Sequence, residues 1–136
     1  DITHLLARAY TRLSGGERQR VQLARVLAQI WRAEDAGTRL LLLDEPVAAL
    51  DIGHQSQVMA TLARLAADGV AVVFVMHDVS LAAAYADRLI ALRAGQVVAS
   101  GTPAEVVTEA VMADVFAART RVITHPDTGR PVVLHG

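Results

Sequence analysis

Two short apolar runs, Leu40 to Leu43 and Val70 to Met76, with an amphipathic stretch between them, restrict this chain more than any other feature. Neither run alternates apolar with polar residues, which is the pattern of strands covered on both faces in a parallel sheet. Between them, Gly53 to Asp68 repeats apolar residues at helical spacing, with Val58, Met59, Leu62, Leu65 and Ala66 on one face. Gly69 then offers a stop. Strand, helix and strand at this length make a βαβ unit, whose crossover is right-handed. Parallel strands end on one edge of their sheet, and open α/β folds bind ligands at that edge. Asp44 and Glu45 end the first run, and His77 and Asp78 end the second, so the pattern predicts reactive side chains sharing an edge.

Upstream, Ser14 to Trp31 reads as a helix. Ser14 and Glu17 have the S-x-x-E spacing of a capping box, and Val21, Ala24, Leu27 and Trp31 recur at helical spacing while Arg18, Arg25 and Arg32 face water. Ala33 to Thr38 is polar and reads as a loop. Downstream, a short helix over Ser80 to Ala86 precedes a hairpin, Arg88 to Arg93 and Gln96 to Ala99 across Ala94-Gly95. Thr102 and Glu105 form a second capping box with Pro103 at the first helical position. Val122 to Thr124 and Val132 to Leu134 flank Pro126-Asp127-Thr128-Gly129, a second hairpin. No repeat, low-complexity tract or interdomain linker interrupts these elements, so a single domain is expected.

Composition narrows the classes. A 53% hydrophobic fraction with only 4% aromatic residues predicts an aliphatic core. A net charge of −1 gives no bulk attraction to a polyanion such as nucleic acid. The absence of cysteine excludes disulfides and thiolate metal sites in these residues. No apolar run approaches the ~20 residues of a membrane helix, and no signal peptide is evident. The chain starts at Asp1 directly in a helical-looking pattern, as a piece of something longer would. All 13 basic residues are arginines.

Chemistry is concentrated in two places. In LSGGE, Leu13 to Glu17, two glycines open a helix N-terminus, where backbone N–H groups and the helix dipole favour an anion. On S-x-x-E alone an ordinary capped helix is the commoner reading. Glycines in a first turn cost stability, however, unless something must approach closely. In LLLLDE, Leu40 to Glu45, an Asp and a Glu at a strand end suit a nucleotide hydrolase: one carboxylate for a magnesium ion through its water shell, the other to polarise attacking water. A solvated strand end is the competing reading. His77 lies where it could hydrogen-bond a terminal phosphate. His4, His54, His77, His125 and His135 show no metal-ligand spacing.

Taken in order, LSGGERQRVQLARVL, LLLLDEP, ALD and VMHD resemble the ATPase subunits of ABC transporters. The resemblance spans nearly the whole chain but only the later part of such a subunit. It implies an α/β P-loop NTPase of the ABC ATPase type, three-layered with a mostly parallel sheet. Residues 1–136 would then be the C-terminal part of one domain, without its N-terminal phosphate-binding half. It also implies that Ser14, Gly15, Gly16 and Glu17 grip the terminal phosphate of ATP held by the opposite subunit. Asp44 would be the magnesium-side carboxylate, Glu45 the general base, Asp51 the dimer-contacting loop aspartate and His77 the switch histidine. ATP and Mg2+ are the implied ligands, and a second copy of the chain the implied partner. The G-x-x-x-x-G-K-[ST] loop of such enzymes needs a lysine, which these residues lack, so they are not expected to hydrolyse ATP by themselves.

LARVLAQIW, ALDIGHQ, HDVSLAAAYADRLIALRAGQVVASGTPAEVV and HPDTGRPVV look like hemin importer ATPases, with siderophore and cobalamin importers next. That likeness implies a peripheral subunit on the cytoplasmic face of the inner membrane. Its partners would be transmembrane permease subunits and, indirectly, a periplasmic or surface heme-binding protein, with no nucleic acid. The alternatives are a soluble ABC-type switch in repair or translation, whose usual insertions or tandem cassettes are not apparent, and a truncated non-catalytic remnant. One departure stands out. Val47-Ala48 replaces the family's usual Thr-Ser, removing a hydroxyl that could help hold the dimer interface.

Overall fold

Strands β1 (Leu40–Asp44) and β2 (Ala71–Val75) pair in parallel, from Leu40 opposite Ala71 to Asp44 opposite Val75. Helix α2 (Ile52–Ala67) joins them and packs on β2, so the expected βαβ unit is present. The computed structural model describes residues 3–30 and 37–135. Trp31, Arg32 and residues 33–36 of the expected loop lie outside the described residues. The chain divides into two units, Asp1–Met76 and His77–Gly136.

In the first unit, α2 begins where Asp51 caps it, its carboxylate accepting from the His54 amide at 2.9 Å. It ends at Gly69, whose φ of 82° is the left-handed region that glycine tolerates. The amides of Gly69 and Val70 return to the carbonyls of Ala66 and Leu65, both at 3.0 Å, closing the end as a Schellman motif. Val58, Met59 and Leu62 of α2 are buried together with Leu41 of β1 and Val70, forming the core of this unit. Each such side chain contributes about 1.5–3 kcal/mol when fully buried. Ala66, expected on the covered face, is exposed in the last turn.

The strands are not covered on both faces as their sequence predicts. Leu41 is 1% exposed, yet Leu42 beside it is 65% exposed, and Leu40, Val73 and Val75 share the open face. The register sets Leu40 opposite Ala71 and Leu42 opposite Val73, which makes that face an apolar strip that ends at Asp44, opposite Val75. Helix α1 (Gly15–Ile30) likewise buries no residue; Val21, Ala24 and Leu27 are only half-covered.

In the second unit, α3 (Val79–Tyr85) is capped by Asp78, whose carboxylate accepts from the Leu81 amide at 2.8 Å. β3 (Leu89–Arg93) and β4 (Gln96–Gly101) form an antiparallel hairpin with an irregularity between Ala91 and Leu92. Ala94 and Gly95, both at positive φ, make its two-residue turn. One turn of helix, α4 (Pro103–Val106), leads to α5 (Glu109–Phe116), which packs on β3, β4 and the next strand, β5 (Thr120–Thr124). β5 and β6 (Pro131–His135) form the second hairpin. Arg130 donates to the carbonyls of Ala83 and Ala86 at 2.8 Å each, tying that hairpin to the C-terminal end of α3. The mostly parallel sheet is therefore met in one ladder only, β1–β2. The other two described ladders are antiparallel, because their connections are too short for a crossover.

Candidate functional site

The first turn of α1 is built by its own capping box. The Ser14 amide donates to Glu17 Oε2 at 2.7 Å and the Glu17 amide donates to Ser14 Oγ at 3.2 Å. Arg8 closes the other side, its guanidinium 2.8 Å from Glu17 Oε1. Both carboxylate oxygens of Glu17 are thus engaged. The Ser14 backbone amide, with the Ser14 hydroxyl and Arg8 adding to it, holds the Glu17 carboxyl below its ordinary value. Its contribution is to fix the shape of the turn.

The two glycines of that turn differ. A side chain at Gly16 would place its first carbon 3.1 Å from the Ala49 carbonyl oxygen, so Gly16 is needed for close packing on the segment after β1. At Gly15 no heavy atom lies within 4 Å of that position. The fold itself gives no reason for glycine there. An exposed helix N-terminus with an unobstructed approach remains, and that is what an anion needs.

Asp44 is exposed at the end of β1. Glu45 extends the ladder by one bond, its amide donating to Val75 O at 3.0 Å, but its φ is 46°, a conformation uncommon outside glycine and asparagine. Its Oε1 is withdrawn from solvent. From α1, Gln19 reaches both ends of the turn that follows: Nε2 donates to Glu45 O at 2.8 Å, and Oε1 accepts from the Ala49 amide at 3.1 Å. Within that turn lies buried Val47, the first of the two residues noted as a departure from the resembled pattern. Its carbonyl accepts from Leu50 N at 3.1 Å and Gln55 Nε2 at 3.3 Å.

Next to Gln19, Arg20 contacts Nε2 of His54, and the other ring nitrogen of His54 meets both carboxylate oxygens of Asp51, at 2.8 and 2.7 Å. The His54 backbone amide, then its ring and the Arg20 charge, hold the Asp51 carboxyl below its ordinary value. A cavity of ≈ 220 Å³ opens between the two segments, lined by Ser14, Gly16, Glu17, Arg20, Ala49, Leu50, Asp51 and His54.

The first unit therefore brings Ser14, Gly16, Glu17 and Asp51 to one cavity, with Gly15 on the exposed turn beside it and Asp44 and Glu45 at the strand end. His77 is exposed at the start of the second unit, two residues past Val75, and the neighbouring Asp78 serves as a helix cap. Among the described residues no group of three or more His, Asp or Glu is placed to hold a metal. No helix among them is long and apolar enough to cross a membrane. Sequence reasoning missed Gln19, Arg20 and His54. For His54 a signal existed, because a polar residue three positions after a capping Asp can fold back onto it. Gln19 and Arg20 act across 26 and 34 positions, and no local pattern announces that.

No protein-family model matches the chain. Over 134 residues, 98% of its length, it is 47% identical to the hemin import ATP-binding protein of Hahella chejuensis and 49% identical to that of Myxococcus xanthus. The chain covers 52% and 50% of those proteins, so it spans about half the length of the curated relatives it matches. Among solved structures, an ABC transporter assigned to the metal-chelate type, in an inward-facing conformation, superposes with a TM-score of 0.76 at 30% identity. That match covers 98% of this chain and 52% of the other. An ATP-binding cassette of another ABC transporter, 24% identical over 84% of the chain and covered to 43%, matches in fold with a TM-score of 0.65. Over the portion it spans, the chain has the fold of an ABC ATPase cassette.

Proposed function

We propose, from the premise of that fold, that the chain is the later part of a single ABC ATPase domain. Its protein would be the ATP-hydrolysing, energy-coupling subunit of an importer for hemin. The observation that carries the reading is the first turn of α1. It presents an exposed helix N-terminus with open space at Gly15, on the rim of a cavity shared with Asp51.

In this reading two copies meet head to tail. Ser14, Gly15 and Gly16 of one face the terminal phosphate of ATP bound by the other, donating backbone N–H groups along the helix dipole. Glu17 acts indirectly, holding the turn in shape through Ser14 and Arg8. Glu45 is the general base that orients and deprotonates the attacking water, His77 a hydrogen-bonding partner for the phosphate, and Asp51 the aspartate of the loop that contacts the opposite subunit. Asp44, exposed at a strand end, suits a magnesium ion held through water, which would offset phosphate charge. Because the lysine of the phosphate-binding loop is absent from these residues, catalysis belongs to the complete polypeptide. The subunit sits on the cytoplasmic face of the membrane against permease subunits. Closure of the pair on ATP drives transport, since a ligand shifts an equilibrium only by binding one state better.

The identity to hemin import ATP-binding proteins supports hemin as cargo. The likeness to a metal-chelate-type transporter favours a second reading, a siderophore or cobalamin importer. One experiment separates them: ATPase activity of the reconstituted complex with its binding protein, empty or loaded with heme, ferric siderophore or cobalamin. Stimulation by heme alone is expected. Stimulation by another cargo would replace hemin, and a complex without ATPase activity would overturn the enzyme reading.

A further inference from the structure

We propose that Gln19 is a positioning residue that sets the direction of the Glu45 carboxylate; this rests on the reading of Glu45 as the general base. Glu45 has a φ of 46°. For an L-residue with a side chain that region is disfavoured by crowding between Cβ and the backbone, and it persists only where surrounding contacts enforce it. A change of φ would swing the Cα–Cβ bond, and the carboxylate with it.

Three contacts define the Glu45 peptide. Its amide is fixed to β2 through Val75 O at 3.0 Å. Its carbonyl accepts from Ala48 N at 3.3 Å, a long bond inside the turn, and from Gln19 Nε2 at 2.8 Å. The Gln19 bond is the shorter, and it comes from outside the turn. The same amide group accepts from Ala49 N at 3.1 Å, so one side chain spans the turn from its first residue to its fifth. A carboxamide does this without charge, offering a donor and an acceptor on one planar group. A glutamate of the same shape would keep the bond from Ala49 N but would set an acceptor against the Glu45 carbonyl. A methionine would provide neither.

Gln19 also lies two residues after Glu17 on α1, the helix whose first turn faces the cavity. The clamp therefore ties the anion-facing turn to the segment bearing Glu45 within one subunit. Gln19 touches neither substrate nor water in this account; it works through the Glu45 backbone.

The test uses the complete polypeptide in its transport complex, with Gln19→Glu and Gln19→Met compared in wild-type and Glu45→Gln backgrounds. A displacement of about 1 Å at a reacting group costs on the order of 100-fold in rate, so both variants should lower kcat by about 10- to 100-fold. KM for ATP and ATP-dependent dimerisation should stay within about twofold, because the lost interaction matters only in the transition state. In the Glu45→Gln background, where the base is already gone, the same substitutions should change the residual rate by less than about twofold. The proposal is overturned by unchanged kcat in both variants, by an equal loss in both backgrounds, or by loss of nucleotide binding in both, which would make Gln19 a plain structural residue. If Glu45→Gln alone hydrolyses ATP at the wild-type rate, the general-base reading itself fails. Normal rates in the Gln19 variants beside an inactive Glu45→Gln overturn only the clamp.

Discussion

Replacing Gly15 by alanine should make the protein more stable and its closure on ATP weaker, and the structure says why the two should part. Gly15 is the first residue of α1, it is not at positive φ, and no heavy atom lies within 4 Å of where a Cβ would stand. Alanine is therefore sterically free there. Exchanging glycine for alanine in a helix gains up to about 0.5–1 kcal/mol by restricting the unfolded chain. For a polypeptide about twice the length of this chain, as its relatives are, that corresponds to a rise in Tm of about 1–2 °C. If a phosphate approaches the turn from the opposite subunit, the added methyl group meets it instead. A hydrogen bond to a charged group is worth about 1.5–3 kcal/mol, so its loss should weaken ATP-dependent dimerisation on the order of 10- to 100-fold. The assay is sedimentation of the complete polypeptide over an ATP titration, in a Glu45→Gln background that prevents turnover, alongside thermal unfolding without nucleotide. Gly16→Ala is the contrast. Its Cβ would stand 3.1 Å from Ala49 O, so it should bring no gain in Tm and would disturb closure from within the subunit. A Gly15→Ala protein that gains stability and dimerises as tightly as its parent would refute the reasoning, because the open space would then face nothing.

Glu45→Gln in the complete polypeptide should lower ATP turnover by about 10²–10⁴, the usual worth of general-base help, while ATP binding and dimerisation persist. Near-normal hydrolysis would remove Glu45 from that role. The Glu105 carboxyl is held below the ordinary 4.5 chiefly by the Thr102 backbone amide, then by the Thr102 hydroxyl. A carboxyl depressed in the folded state stabilises fully above its unfolded value and loses that contribution as pH falls through the folded one. The destabilisation caused by Glu105→Gln should therefore be greatest near neutral pH and shrink as pH drops below 4.5. Urea unfolding across that range checks it, and a pH-independent difference would count against the capping account.

What the sequence announced were features whose causes are local. The capping boxes at Ser14 and Thr102, the Gly69 stop and the two hairpin turns each rest on contacts within a few positions, and each appears where its pattern predicted. The clamp did not announce itself. Gln19 reads as one more polar position on an amphipathic helix, and its meaning comes from a turn 26 residues away. The spacing of His54 to the other histidines speaks only against metal binding, whereas its ring is engaged between Arg20 and Asp51. The left-handed backbone at Glu45 was hidden as well, because sequence patterns point to glycine for such positions and a glutamate gives no warning.

The strands teach the opposite lesson, since there the sequence describes more than these residues supply. Leu40, Leu42, Val73 and Val75 are apolar as in a doubly covered sheet, yet all four lie open. Covering one such side chain is worth about 1.5–3 kcal/mol. The four are still 51–65% exposed, so covering what remains open would amount to about 3–7 kcal/mol, a large part of the net stability of a small domain. The chain spans about half the length of its curated relatives, and an uncovered strip of that value means that unfolding measured on these residues alone would report a different balance from that of a polypeptide of the relatives' length. A wild-type-like melt of the isolated 136 residues, as steep and as high as that of the complete polypeptide, would show that the open strip contributes nothing and that the apolar runs have another cause.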